Sequence, residues 1–112
     1  MLLMKKQYFG AIRAGRKTTT LRYWLRPHVR AGTEHLVPGL GRIRVDAVQA
    51  VEAEALGEDE ARADGFPSLA ALRAALGRLY PSGRRDGRRL YLVRFVFLGA
   101  DSARLRGAAK RQ

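Results

Sequence analysis

Between residues 15 and 22 the chain reads Gly-Arg-Lys-Thr-Thr-Thr-Leu-Arg, which gathers three cations, three hydroxyls and one glycine into a single short stretch. Converging backbone amides, guanidinium, ammonium and hydroxyl groups suit a phosphate or a nucleoside. Gly15, Arg16, Lys17, Thr18 and Arg22 are therefore candidate ligand contacts. Arginine outnumbers lysine by 18 to 4, and Lys17 is the only lysine between Lys6 and Lys110. A buried lysine can give up its proton, whereas arginine cannot. A threonine hydroxyl becomes a nucleophile only when a neighbouring base accepts its proton. Lys17 beside Thr20 is thus a candidate base and nucleophile, with amides near Thr18 to Thr20 as donors to an oxyanion. The competing reading of Thr20 is a β-branched residue filling a strand position.

The elements that must position these groups can be read from periodicity. Residues 5–14 predict a short helix, with Tyr8, Phe9 and Ile12 on one face and Gly15 as its C-terminal cap. Residues 18–25 predict a strand, which Arg26-Pro27 ends. A short strand follows at 35–38. A longer one runs over 42–51, where Val48 falls out of phase and suggests a bulge, and Leu56 extends it further. Residues 58–64 form a helical turn or two stopped by Gly65. A second helix begins at the Ser68 cap and carries the stripe Leu69, Leu72, Leu76, Leu79 and Tyr80. Residues 90–98 are apolar enough for a strand buried on both faces. About four strands with intervening helices make an α+β domain over residues 1–100, followed by a basic, flexible tail over 101–112.

At 112 residues the chain has the length of one domain with its own core. It has no cysteine, which excludes disulfides and thiolate metal sites, and its two histidines, His28 and His35, do not make a zinc set. No metal or cofactor is expected. The apolar-first start, Met-Leu-Leu-Met-Lys-Lys, does not match a secretory signal. No apolar run has membrane-spanning length. A cytoplasmic protein without a membrane partner, a monomer or weak dimer, is expected.

The net charge is +12, which favours a polyanionic partner. Residues 1–51 hold 10 basic against 2 acidic residues, 52–64 hold 1 against 6, and 65–112 hold 11 against 2. The surface is thus sided, with Arg84, Arg85, Arg88 and Arg89 clustered in one loop and Arg104, Arg106, Lys110 and Arg111 near the C-terminus. The loop arginines are candidate RNA contacts, or solvated charges that maintain solubility. Arg22 suits either a phosphate or base edge or a structural carboxylate. Trp24 suits either stacking on a base or core packing. His28 reads as a loop histidine without a role.

Four motifs in order then carry a family resemblance. The 15–22 segment, Ala61-x-x-Asp64-Gly65-Phe66-x-Ser68, the helix closing on Leu79-Tyr80-Pro81, and the strand around Val93-x-Phe95 together resemble the ASCH family, over about residues 5–98. The family is similar to PUA domains, so the resemblance implies a small PUA-like β-barrel with flanking helices and an RNA-related function. Some bacterial members are amidohydrolases that remove the acetyl group from acetylated cytidine, using a lysine, a threonine and a glutamate. The resemblance carries these roles to Lys17, Thr20 and Asp64, the last one methylene shorter than the family's glutamate. Two readings follow from the whole: an RNA- or nucleoside-binding module, and an amidohydrolase of a modified nucleoside. Cleavage of RNA ranks third, because no well-placed histidine pair supports it.

Overall fold

The sequence predicts a strand over 90–98 buried on both faces. In the computed structural model this segment lies inside the sheet between two neighbours. It is buried on both faces only up to Val93, beyond which Arg94, Val96 and Leu98 face solvent. The structure describes residues 2–99; the C-terminal segment 101–112 lies outside them. A 3-10 turn Lys6–Tyr8 leads into α1 (Phe9–Arg13). Then come β1 (Thr19–Trp24), β2 (Glu34–Val37) and β3 (Gly41–Val51), a 3-10 turn Ala53–Ala55, α2 (Glu58–Ala63), α3 (Leu69–Leu79), α4 (Ser82–Arg85) and β4 (Arg89–Gly99). The strands pair antiparallel in the order β1-β4-β3-β2. The fold is α+β. Among the described residues no helix is long and apolar enough to cross a membrane.

The sheet is open, not the closed barrel expected from the sequence. The reason lies in register. β1 pairs with the first half of β4, from Trp24 opposite Arg89 to Thr19 opposite Arg94. β2 pairs only with Gly41 to Arg44, the end of β3 that faces Val96 to Gly99. The two edge strands therefore sit at opposite ends of the long β3–β4 ribbon, where they cannot meet. The expected bulge exists, but between Val45 and Ala47 instead of at Val48. That extra residue lets Val45 and Val48, three apart, pack against the same core.

Two apolar layers cover the sheet. On one face Val93 and Phe95 of β4 and Ile43 and Val45 of β3 pack with Phe9 and Ile12 of α1. On the other, Leu90 and Leu92 of β4 with Leu21 and Tyr23 of β1 meet Leu72 and Leu76 of α3. The leucine stripe of α3 thus finds the partner it needs. Ser68 caps this helix, its Oγ accepting from the Ala71 N–H at 3.1 Å. Leu56 does not lengthen β3; the turn at Ala53–Ala55 redirects the chain and buries Leu56 in the layer under α3.

Leu76 is 7% exposed, so Leu76→Ala should cost about 2–5 kcal/mol in chemical denaturation. Leu36, 45% exposed on β2, should change stability by less than about 0.5 kcal/mol when truncated. Equal costs at the two positions would contradict this layering.

Candidate functional site

Two glycine turns at helix ends build the site. After α1 the chain passes through Gly15 at φ 77°, a left-handed conformation that glycine adopts without steric cost. The N–H groups of Arg16 and Lys17 then both donate to the Ala11 carbonyl, at 2.9 and 3.1 Å. After α2 the chain turns at Gly65, φ 92°, where an added Cβ would lie 3.2 Å from Lys17 Cβ. The Thr18 N–H donates to the Ala63 carbonyl at 2.7 Å and ties the turns together. Lys17 and Asp64, 47 positions apart, are thereby pressed against one another.

Both side chains are buried, at 4% and 5% exposure. Lys17 Nζ donates to the carbonyls of Thr19 and Asp64, each at 2.8 Å. It also lies 3.4 Å from Asp64 Oδ1 and 5.0 Å from the centre of the Tyr8 ring. Three acceptors match the three protons of an ammonium. Thr19 Oγ1 donates to the same Oδ1 at 3.0 Å, while Asp64 Oδ2 has no protein hydrogen bond among the described residues. Burial lowers the Lys17 pKa below its ordinary value, against the opposing pull of Asp64. Burial likewise raises that of Asp64, opposed by Lys17, the Thr19 hydrogen bond and Arg22.

β1 is an edge strand, so residues from both of its faces reach one cavity. Thr20 and Arg22 share a face by the two-residue period, and Arg22 Nε donates to Thr20 Oγ1 at 2.9 Å. Arg22 Nη2 donates to the Leu3 carbonyl and approaches Met4 Sδ at 3.5 Å. Lys17, Thr20, Arg22 and Asp64 line a cavity of about 270 Å³, with Tyr8, Phe66 and Tyr80 as aromatic walls and Leu72, Leu76 and Leu79 of α3 behind them.

Other residues singled out in the sequence lie elsewhere. Gly15 and Arg16 are exposed and do not line the cavity; they shape the turn that delivers Lys17. Thr18 is exposed, and its N–H is spent on Ala63, so that amide cannot serve an oxyanion. Trp24 is not a stacking platform: it is 6% exposed in the core on the α1 face, and the His28 ring stacks on it at 4.8 Å. His28, which had no expected role, thus covers the indole. The four arginines expected in one loop do not share one. Arg84 and Arg85 lie in α4, Arg88 in the turn after it and Arg89 at the start of β4, with Arg84, Arg88 and Arg89 exposed. Arg85 is instead a brace, with Nε donating to the Tyr80 carbonyl at 2.7 Å and its guanidinium 5.1 Å from the Tyr23 ring centre. The hydroxyl that meets Asp64 is that of Thr19, which the sequence does not set apart from its two neighbours. The walls Tyr8 and Phe66 read in the sequence only as a helix-face residue and as part of the family motif. The adjacency of Phe66 to the Asp64-Gly65 turn was the one available signal. Among the described residues no three His, Asp or Glu side chains gather as a metal set.

No protein-family model matches this sequence, and no curated protein matches it. Solved structures do. The hypothetical protein PH0355 superposes with a TM-score of 0.70 at 16% identity, covering 84% of this chain and 94% of that one. An ASCH domain from Lactobacillus crispatus gives 0.62 at 19% identity, covering 79% and 68%. Protein EF3133 from Enterococcus faecalis, described under the family model DUF984, gives 0.64 at 17%, covering 86% and 72%. At these identities the likeness is one of fold, and the fold of this chain is ASCH-like.

Removing one partner of a buried ion pair leaves an uncompensated charge, so Lys17→Met should cost about 3–5 kcal/mol at neutral pH. The Lys17→Met/Asp64→Asn double variant should lose much less than the two single variants together. In Lys17→Met the Asp64 pKa rises further, because its largest counter-pull is gone. A raised carboxyl pKa stabilises the folded state fully only below the ordinary value of 3.8 and loses that contribution as pH rises through the folded value. The deficit of Lys17→Met should therefore shrink as pH falls towards 4, measured by urea unfolding across pH. A deficit independent of pH would place the charge elsewhere.

Proposed function

We propose that this ASCH-like chain binds RNA by seating one nucleoside in the Lys17–Asp64 cavity while exposed arginines hold flanking phosphates. The observation that carries this reading is the cavity's composition. Aromatic walls at Tyr8, Phe66 and Tyr80 suit the faces of a base. The polar floor offers both signs of hydrogen bonding to a base edge. The Thr20 hydroxyl accepts from Arg22 and so keeps its own proton to donate, while Asp64 Oδ2 can accept. The exposed Arg84, Arg88 and Arg89 add phosphate contacts.

Deacetylation of acetylated cytidine is the second reading, favoured by one observation. The Asp64 carboxylate, though a methylene short, reaches Lys17, and burial weakens the hold of Lys17 on its proton. Against it, Lys17 Nζ already serves protein acceptors on all sides. Thr20 Oγ1 is bonded to Arg22 and not to a base. In this arrangement Lys17 is a strut, and a strut does not activate Thr20.

With about six phosphate contacts, the affinity for single-stranded RNA should fall with a log–log salt slope near −4. Replacing Arg84, Arg88 and Arg89 by serine should flatten that slope by about 2 units without unfolding the domain; Arg85 is left in place because it braces Tyr80. Fluorescence anisotropy with a labelled oligonucleotide measures both. A chain that binds no RNA at low salt yet releases cytidine from acetylated cytidine would exchange the two readings.

A further inference from the structure

The cavity is not electrically neutral. Four charged side chains line it: Lys5, Lys17, Arg22 and Asp64. Asp64 is spent on Lys17. Arg22 has no carboxylate within ion-pair distance among the described residues. Its protein partners are a hydroxyl, a carbonyl and a thioether, all uncharged, and Nη1 has no protein acceptor among them. Lys5 is exposed and likewise unpaired there. Apart from the Thr20 hydroxyl and the Met4 thioether, the remaining walls are aromatic or aliphatic.

A half-buried guanidinium whose nearby carboxylate, Asp64, is already paired with Lys17 is costly unless a ligand supplies a counter-charge. Counting Asp64 against Lys17 leaves two positive charges, on Arg22 and Lys5. A neutral nucleoside would leave both uncompensated. A phosphodiester supplies one negative charge, whereas a phosphate monoester carries about −1.5 to −2 at neutral pH. The free Nη1 of Arg22 and the Lys5 ammonium, both lining the cavity, are charge-assisted donors suited to such a group.

We propose that the ligand of this cavity is a nucleoside bearing a phosphate monoester, its base between the aromatic walls and its phosphate on Arg22 and Lys5. This rests on the nucleoside reading above and deepens it: the recognised unit is a free nucleotide or a phosphorylated chain end, not an interior residue of RNA.

Calorimetric titration with cytidine 5′-monophosphate, cytidine and inorganic phosphate tests it. The monophosphate should bind at least about tenfold tighter than cytidine, a gap of about 1.4 kcal/mol. Lys5→Gln, at an exposed position, should narrow that gap. Arg22→Lys, which keeps the charge and loses the free Nη1 donor, should narrow it further. A 5′-phosphorylated pentanucleotide against its 5′-hydroxyl counterpart separates the sources. A gain for the free monophosphate marks a free nucleotide, and a gain for the oligonucleotide alone marks a chain end. Equal binding of monophosphate and cytidine, or a gap that Lys5→Gln leaves intact, would overturn the phosphate assignment and leave the nucleoside reading standing. If no nucleoside binds, or inorganic phosphate binds as tightly as the monophosphate, the nucleoside reading itself falls.

Discussion

The arrangement of this protein turns on one ammonium group. Lys17 Nζ joins the start of β1, through the Thr19 carbonyl, to the turn after α2, through the carbonyl and carboxylate of Asp64. An ion taken out of water must recover its hydration from fixed partners, and the recovery holds only when the geometry is good. That requirement fixes two chain turns at once. The Gly65 turn lies so close to Lys17 that a side chain there would crowd it, and the Thr18 to Ala63 bond holds the backbones in the same relation. Thr19, Tyr8 and Asp64 then take positions that the buried charge dictates.

The open sheet is the second constraint, and the cavity is its consequence. Had β1 and β2 closed a barrel, the free edge of β1 would have been filled by a neighbouring strand. Because the edge strands lie at opposite ends of the β3–β4 ribbon, the edge of β1 stays unpaired and is flanked by α3 and residues 3–5. An exposed edge invites pairing with another chain. Here Arg22 donates to the Leu3 carbonyl, and residues 3–5 bound the cavity beside β1.

Arginine serves several physical roles in the described structure; Arg44 and Arg62 form surface ion pairs with Asp46 and Asp59, and two others contrast most. Arg85 is held by a carbonyl and a ring face and supports the end of α3. Arg22 is held only by neutral groups in an apolar setting. Residues of one type, all legible in the sequence as positive charge, thus divide into ion-pair partners, braces and open charges according to what the fold sets beside them.

Local features were legible in the sequence. Glycine caps, the Ser68 cap, the α3 stripe and the apolar run of β4 depend on residues within a turn or two of each other, and each defines its element. The two-residue period likewise put Thr20 and Arg22 on one face. Periodicity gives relative faces and not absolute ones, so it places Trp24 on the face of Thr20 and Arg22 but could not tell that this face leads into the core. The offset of β1 from β2, the bulge at Val45 to Ala47 and the burial of Leu56 depend on register between distant strands, as does the openness of the sheet. The partnership of Thr19 with Asp64 spans 45 positions and exists only once two helix ends meet. The sequence by itself determined which segments become helix and strand and where the unusual lysine lies. Tertiary structure decided which hydroxyl and which arginine share its cavity, because buried charges choose partners by distance in space and not along the chain.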